Sequence, residues 1–195
     1  MKVVFLDRDG VINQFPGHGN YVTKVKDLRF IRGSKQAIAA LTRAGYKIFV
    51  ISNQAGVGRG VFTQKKLDQI DARLHARIRS SGGRLSATYY CTHHPDDQCA
   101  CRKPGTANVR KAVASIGKKL SDLKRCFFVG DASIDMKTGA AAHLRTVLVL
   151  TGKSTQAQVL KEGGKPDYVV ANLRDAVKII LNEDSRHTRY SRGRA

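Results

Sequence analysis

The chain has 195 residues, 42% of them hydrophobic and 26% charged, which excludes a disordered segment and points to one soluble domain with a sizeable core. No apolar run approaches the roughly 20 residues of a membrane-spanning helix, and Met1-Lys2 leads directly into a strand-like run, so neither a span nor a signal peptide is expected. Against 15 acidic residues stand 35 basic ones, a formal net charge of +20 that attracts phosphates, nucleic acid or anionic surfaces without specifying any of them.

Short apolar runs alternate with helical patterns, the signature of βαβ units and a mostly parallel sheet. Strands are expected over 3–6, 47–51, 87–90, 126–129, 146–150 and 168–170. Ser34 is expected to cap a helix carrying Ala37, Ile38 and Leu41 and ending at Gly45. Thr63 is expected to cap another, in which Leu67, Ile70, Leu74 and Ile78 form one core-facing stripe. No repeat or linker divides the chain, so residues 1–182 read as a single domain. Residues 183–195, with Arg186, Arg189, Arg192 and Arg194, lack apolar periodicity and read as a basic, fraying tail. Two irregular stretches, 14–28 and 91–105, are long enough to be working loops.

In an open parallel sheet, ligands bind beyond the carboxyl ends of the strands. Three polar clusters fall there. The first, FLDRDGVIN, places Asp7 and Asp9 just after a strand; one carboxylate can attack as a nucleophile while the other moves protons as general acid, then base. A calcium loop starting at Asp7 would need Glu at its twelfth position, which is His18. The second, ISNQAGVGRG, offers the Ser52 hydroxyl and a nest of backbone amides from Asn53 to Gly56. The third, FFVGDASID, supplies Asp131 and Asp135. Asp131 with Asp7 and the carbonyl of Asp9 makes an oxygen-rich site suited to Mg²⁺. Lys103 in CRKPG, with Arg102 beside it, is the candidate to neutralise phosphoryl oxygens.

Cys91, His93, Cys99 and Cys101 form the spacing Cys-x-His-x5-Cys-x-Cys, which suits tetrahedral Zn²⁺ with no open position for catalysis; His94 is the alternative ligand. A structural zinc here would stiffen the loop that delivers Arg102 and Lys103. A disulfide is disfavoured in the reducing cytoplasm, where this chain is expected to act, and Cys126 reads as a core residue.

The order Asp-x-Asp, Ser, Lys, Gly-Asp-x-x-x-Asp resembles the haloacid dehalogenase superfamily over about the first 150 residues. The resemblance implies a Rossmann-like three-layer α/β/α sandwich. Asp7 would be the nucleophile, Asp9 the acid/base, and Ser52 and Lys103 the phosphoryl contacts. Asp7, Asp9 (through its carbonyl) and Asp131 would hold Mg²⁺. Asp at position 9 favours phosphatase over dehalogenase, and the spacings leave no room for a large cap domain. The motifs DRDGVIN, SNQAGVGRG and YYCTHHPDDQCACRKPG further resemble the zinc-containing branch, which includes heptose 1,7-bisphosphate 7-phosphatases and histidinol-phosphate phosphatases. Within it Arg102 is implied in substrate recognition, joining Asn53, Gln54 and Lys103 as expected contacts. Removal of the 7-phosphate of a heptose bisphosphate is the leading expectation, histidinol-phosphate hydrolysis the second, and a nucleic-acid 3′-phosphatase the third. No helix-turn-helix or interleaved aromatic stripe accompanies the positive charge, and a monomer acting on a small phosphorylated metabolite is expected. Two departures from the branch are Ala132, where a basic residue is common, and PGTANVRKA after Lys103.

Overall fold

The computed structural model describes residues 1–123 and 126–192. Six strands form one sheet: β1 (Val3–Leu6), β2 (Lys47–Asn53), β3 (Ala87–Cys91), β4 (Phe127–Gly130), β5 (Arg145–Val149) and β6 (Tyr168–Val170). Their spatial order is β3-β2-β1-β4-β5-β6 and every pairing is parallel, where the sequence suggested only a mostly parallel sheet. From β1 the chain steps outward through β2 and β3, then crosses back to β4 on the other side. The crevice between β1 and β4 is therefore the topological switch point, where such sheets bind ligands.

A parallel sheet is covered on both faces, so its central strands are apolar throughout. Val3, Val4, Phe5 and Leu6 are all fully buried. Alternation sends Val4 and Leu6 into a core built with Ile38 and Leu41 of α1 (Ser34–Arg43), Ile70, Leu74 and Ile78 of α2 (Gln64–Arg79), and Val177 and Ile180 of α6 (Leu173–Arg192). Val3 and Phe5 face the opposite layer, with Val109, Ala112 and Val113 of α3 (Ala107–Ala114). Phe5 stacks between Phe49 and Phe128, at ring-centroid distances of 5.7 and 6.3 Å. Burying each such ring contributes roughly 1.5–3 kcal/mol. Beside them α4 (Ser133–Ala141) and α5 (Gln156–Lys161) cover β5 through Met136, Leu148 and Val159. The result is the three-layer sandwich that the motif order implied, and among the described residues no cap domain is inserted.

Two local expectations change. Thr63 caps α2 as expected, accepting from Lys66 N at 3.3 Å. Ser34, however, is the first residue of α1 and caps nothing: Gly33 occupies the cap position at φ 85°, and the Ser34 hydroxyl donates to Ile12 O at 2.7 Å. The serine ties the loop after β1 to the helix instead. Residues 183–192, expected as a tail, continue α6. Glu183 pairs with Arg145 of β5, and Asp184 lies 2.8 Å from Lys2, contacts that periodicity within the segment cannot reveal. Residues 193–195 and the side chains of Arg186, Arg189, Arg192 and Arg194 lie outside the described residues.

Candidate active site

The polar clusters converge at the carboxyl edge of β1, β2 and β4. Asp7 follows β1, and its amide donates to Val129 O of β4 at 2.9 Å, so it stands over the switch point. The Lys103 ammonium, almost wholly buried, lies 2.6 Å from Asp135 Oδ1 and 2.9 Å from Asp7 Oδ1. Burial pulls the lysine toward neutrality, but the Asp135 and Asp7 charges outweigh it and hold Lys103 well above its ordinary value.

Asp135 is fully engaged. Its second oxygen accepts from Asp131 N (3.2 Å) and Ala132 N (3.1 Å) at the start of α4. Ala132, the residue that replaces a common basic one, is thus buried at this helix entry. A Cβ on Gly130 would sit 2.1 Å from the Asp135 Cβ, so glycine is required for the carboxylate to fold back over the strand end. Asp131 Oδ2 accepts from Lys153 N at 2.6 Å. Thr151, two residues earlier in the same loop, donates to Gly10 O at 2.6 Å.

Asp7, Asp131 and Asp135 bring their carboxylate oxygens within 4.8 Å of one another. Burial, and then the neighbouring carboxylates, push Asp131 up to about 8; burial likewise raises Asp7 to about 6, against the opposing pull of Lys103. Asp7 Oδ1 has the Lys103 ammonium as its neighbour at 2.9 Å and accepts no well-directed hydrogen bond. Three crowded carboxylates against one buried ammonium fit a hard divalent cation, and the all-oxygen donor set suits Mg²⁺.

Asp9 lies in a different environment. Its Oδ1 accepts from Asn13 Nδ2 (2.7 Å) and Arg8 Nε (3.2 Å), its Oδ2 from Arg8 Nη2 (2.9 Å) and Gln54 Nε2 (2.8 Å). Burial alone would raise its pKa, but the Arg8 charge and these bonds outweigh it and hold Asp9 below the usual carboxylate range. Arg8 is completely buried, lies 5.5 Å from the Tyr90 ring centroid, and also donates to Gln54 Oε1 at 3.0 Å. The sequence expectations assign Arg8 no role; the signal available is positional, since it directly follows Asp7 at the end of a wholly buried strand. They place Asp135 in its motif without a partner.

The expected substrate contacts divide. Asn53 brackets the main chain of Lys103, accepting from its N–H at 3.0 Å and donating to its carbonyl at 3.3 Å. Gln54 is bound to Asp9, Arg8 and, at 3.3 Å, Ser52 Oγ, while its backbone amide donates to Cys91 O. Both side chains are therefore engaged within the protein, and the amide nest expected over 53–56 loses the Gln54 N–H to the β3 edge. Ser52 is buried, and its hydroxyl works against the burial that raises Asp7. Arg102 keeps a buried Nη1 with no partner.

Cys91, at the end of β3, opens the cysteine loop. Its Sγ lies 3.4 Å from Cys99 Sγ and 3.8 Å from His93 Nδ1; Cys101 Sγ is 3.2 Å from that nitrogen and 3.5 Å from Cys99 Sγ. A tetrahedron with metal–sulfur bonds of about 2.3 Å has edges of about 3.8 Å, so the four donors fit one zinc ion. His94 is occupied elsewhere: its Nδ1 accepts from Asp96 N at 3.3 Å, capping the next turn. Although burial opposes it, hydrogen bonds from Cys91 and Cys101 bring the Cys99 thiol down to about 7, favouring a thiolate. Gly58 packs the loop after β2 onto this one; a Cβ there would meet His94 N at 2.5 Å.

A buried lysine joining two aspartates at the switch point, with a third aspartate beside them, defines a haloacid dehalogenase-like hydrolase. A family model described as HAD-hydrolase-like matches residues 100–176. The D-glycero-beta-D-manno-heptose-1,7-bisphosphate 7-phosphatase of Neisseria meningitidis serogroup A is 34% identical over 187 residues, covering 95% of this chain and 97% of that one. Its Pseudomonas putida counterpart is 39% identical over 156 residues, 78% and 85% of the two chains. The crystal structure of the D,D-heptose 1,7-bisphosphate phosphatase from B. bronchiseptica, complexed with magnesium and phosphate, superposes with a TM-score of 0.84 at 34% identity, covering 94% of this chain and 99% of that one. The chain belongs to this family of heptose bisphosphate phosphatases, which are phosphoric monoester hydrolases. Among the described residues no helix is long and apolar enough to cross a membrane.

Proposed function

We propose that this protein removes the 7-phosphate of D-glycero-D-manno-heptose 1,7-bisphosphate through an aspartyl-phosphate on Asp7. The observation that carries the reading is the buried Lys103 ammonium held between Asp7 and Asp135, which sets a fixed positive charge beside the attacking carboxylate. One Asp7 oxygen bonds to phosphorus as the ester P–O bond breaks, and Asp9, having first taken up a proton from solvent against the pull of Arg8, passes it to the departing sugar oxygen. Water then attacks phosphorus, Asp9 takes up a proton, and the Asp7–phosphorus bond breaks to free inorganic phosphate. Lys103 and the Ser52 hydroxyl hold the phosphoryl oxygens throughout. Asp7, Asp131 and the Asp9 carbonyl would hold Mg²⁺, which would supply positive charge against the phosphoryl oxygens and the clustered carboxylates. Zn²⁺ on Cys91, His93, Cys99 and Cys101 is structural, and Arg102 reads the second phosphate with its unpaired guanidinium nitrogen.

The test is phosphate release with Mg²⁺ from heptose 1,7-bisphosphate, histidinol phosphate and a 3′-phosphorylated oligonucleotide side by side. The bisphosphate is expected to give the highest kcat/KM, with Asp7→Asn inactive on all three. A higher value for histidinol phosphate or the oligonucleotide would reject the substrate, and an active Asp7→Asn would reject the nucleophile.

A further inference from the structure

Arg8 is the largest fully buried side chain among the described residues, and it lies between the two aspartates of the first motif. A guanidinium without solvent needs a structural reason, since its charge must be matched inside the protein. Its contacts supply one. Nε and Nη2 form a two-pronged fork on the two oxygens of Asp9, at 3.2 and 2.9 Å, and Nη2 also reaches Gln54 Oε1 at 3.0 Å. Planar fork-on-carboxylate pairing fixes orientation as well as charge, which a lysine cannot reproduce. Behind the guanidinium stands the Tyr90 ring, and the Tyr90 hydroxyl donates to Asp71 Oδ1 of α2 at 2.7 Å. Arg8 is thereby backed by a rigid strand and a helix.

With Asn13 and Gln54 the fork gives each Asp9 oxygen two donors, so neither is open to a water molecule in this arrangement. One donor has an alternative. Gln54 Nε2 is shared between Asp9 Oδ2 at 2.8 Å and Ser52 Oγ at 3.3 Å. If it turns toward Ser52, Oδ2 is exposed while the Arg8 fork keeps the carboxylate plane fixed. An ionised, oriented carboxylate with one freed oxygen is what water activation requires.

We infer that Arg8 is a positioning residue for the second half-reaction: its fork on Asp9 aims that carboxylate at the water that cleaves the aspartyl-phosphate, with Gln54 as the releasable donor. In that step the water oxygen bonds to phosphorus, its proton passes to the Asp9 oxygen, and the bond from phosphorus to the Asp7 oxygen breaks. This rests on the assignment of Asp7 and Asp9 proposed above.

The test uses p-nitrophenyl phosphate, whose leaving group departs without a proton, so kcat/KM reports formation of the aspartyl-phosphate and kcat its hydrolysis. Arg8→Lys, which keeps a buried cation but loses the fork, is expected to lower kcat about tenfold or more, within the reach of general-base catalysis. KM should fall in parallel, leaving kcat/KM unchanged, and rapid mixing should show a burst of nitrophenol approaching one per active site. A generally disturbed site would lower kcat/KM and give no burst, which would overturn the inference. Should Arg8→Lys not fold, Arg8→Gln, which removes both the buried charge and the fork, is expected to give the same pattern; a fall in its kcat/KM without a burst overturns the proposal equally. Asp9→Asn, measured alongside, separates the two levels. A burst in Asp9→Asn but none in the Arg8 variants leaves the acid/base assignment standing and removes the role of Arg8. No burst in Asp9→Asn rejects the assignment itself, and the inference with it.

Discussion

The side-chain amide of Asn53 brackets the main chain of Lys103, accepting from its N–H at 3.0 Å and donating to its carbonyl at 3.3 Å. These two bonds dock the cysteine loop onto the end of β2 and set the height from which the Lys103 side chain descends between Asp7 and Asp135. Asn53→Ala removes both. Each such bond contributes about 0.5–1.5 kcal/mol, so thermal denaturation should report a loss of about 1–3 kcal/mol. Activity should fall further than stability suggests, because a displacement near 1 Å at the phosphoryl contact costs up to about 100-fold. Unchanged kcat/KM in this variant would mean that Lys103 is placed without Asn53.

The carboxylate cluster makes the metal-free protein sensitive to pH. Asp131 is raised to about 8 and Asp7 to about 6, both chiefly by burial, from an unfolded value near about 4. Across that window the folded state binds more protons than the unfolded one, so stability falls as pH rises. Metal-free protein is therefore expected to melt at a lower temperature at pH 8.5 than at pH 5.5. Added Mg²⁺ should raise the melting temperature more at the higher pH, since it then competes with fewer protons. A melting temperature that climbs with pH in the absence of metal would contradict this account of the cluster.

Purified protein is expected to carry about one zinc ion per chain, the stoichiometry of a closed four-ligand site. Cys99→Ser should abolish zinc retention and lower the melting temperature, because the loop from Cys91 to Cys101 then has no common anchor. Catalysis should weaken through the displaced Lys103, while Mg²⁺ affinity, set by Asp7 and Asp131 on other strands, should hold. Elemental analysis and magnesium titration of the same sample decide the matter; zinc retained at full occupancy would exclude Cys99 as a ligand.

Arg102 has a buried Nη1 without a partner, one residue before the lysine that joins the aspartates. Arg102→Ala is expected to cost about 1.5–3 kcal/mol in kcat/KM on a sugar bisphosphate, the range of a hydrogen bond to a charged group. On a sugar monophosphate the loss should be much smaller. An equal loss on both would assign Arg102 to the transferred phosphoryl group or to the loop, and would remove the main support for a bisphosphate substrate.

Much of this arrangement is legible in the chain itself. A buried parallel strand must be apolar at every position, and a loop at its carboxyl end must carry the polar chemistry, so VVFL followed by Asp7 and Asp9 fixes a strand and a reactive edge together. The four zinc-site donors fall within eleven residues of sequence, and their mutual reach follows from that short spacing. What local pattern cannot contain is the partner of a buried charge. Nothing in its own motif marks Arg8 as buried; Gln54 and Tyr90, which enclose it with the adjacent Asp9, come from two other segments. Asn53 and Gln54 read as substrate contacts until the fold turns their amides onto Lys103 and Asp9. Residues 183–184 read as tail until Arg145 and Lys2 arrive beside them. The sequence by itself determined which groups have the chemistry and which edge of the sheet they occupy, because periodicity and short spacing are local properties. Only the tertiary structure decided which partner each of those groups takes inside the protein, because a polar side chain withdrawn from water takes whatever donor or acceptor the packing brings within about 3 Å.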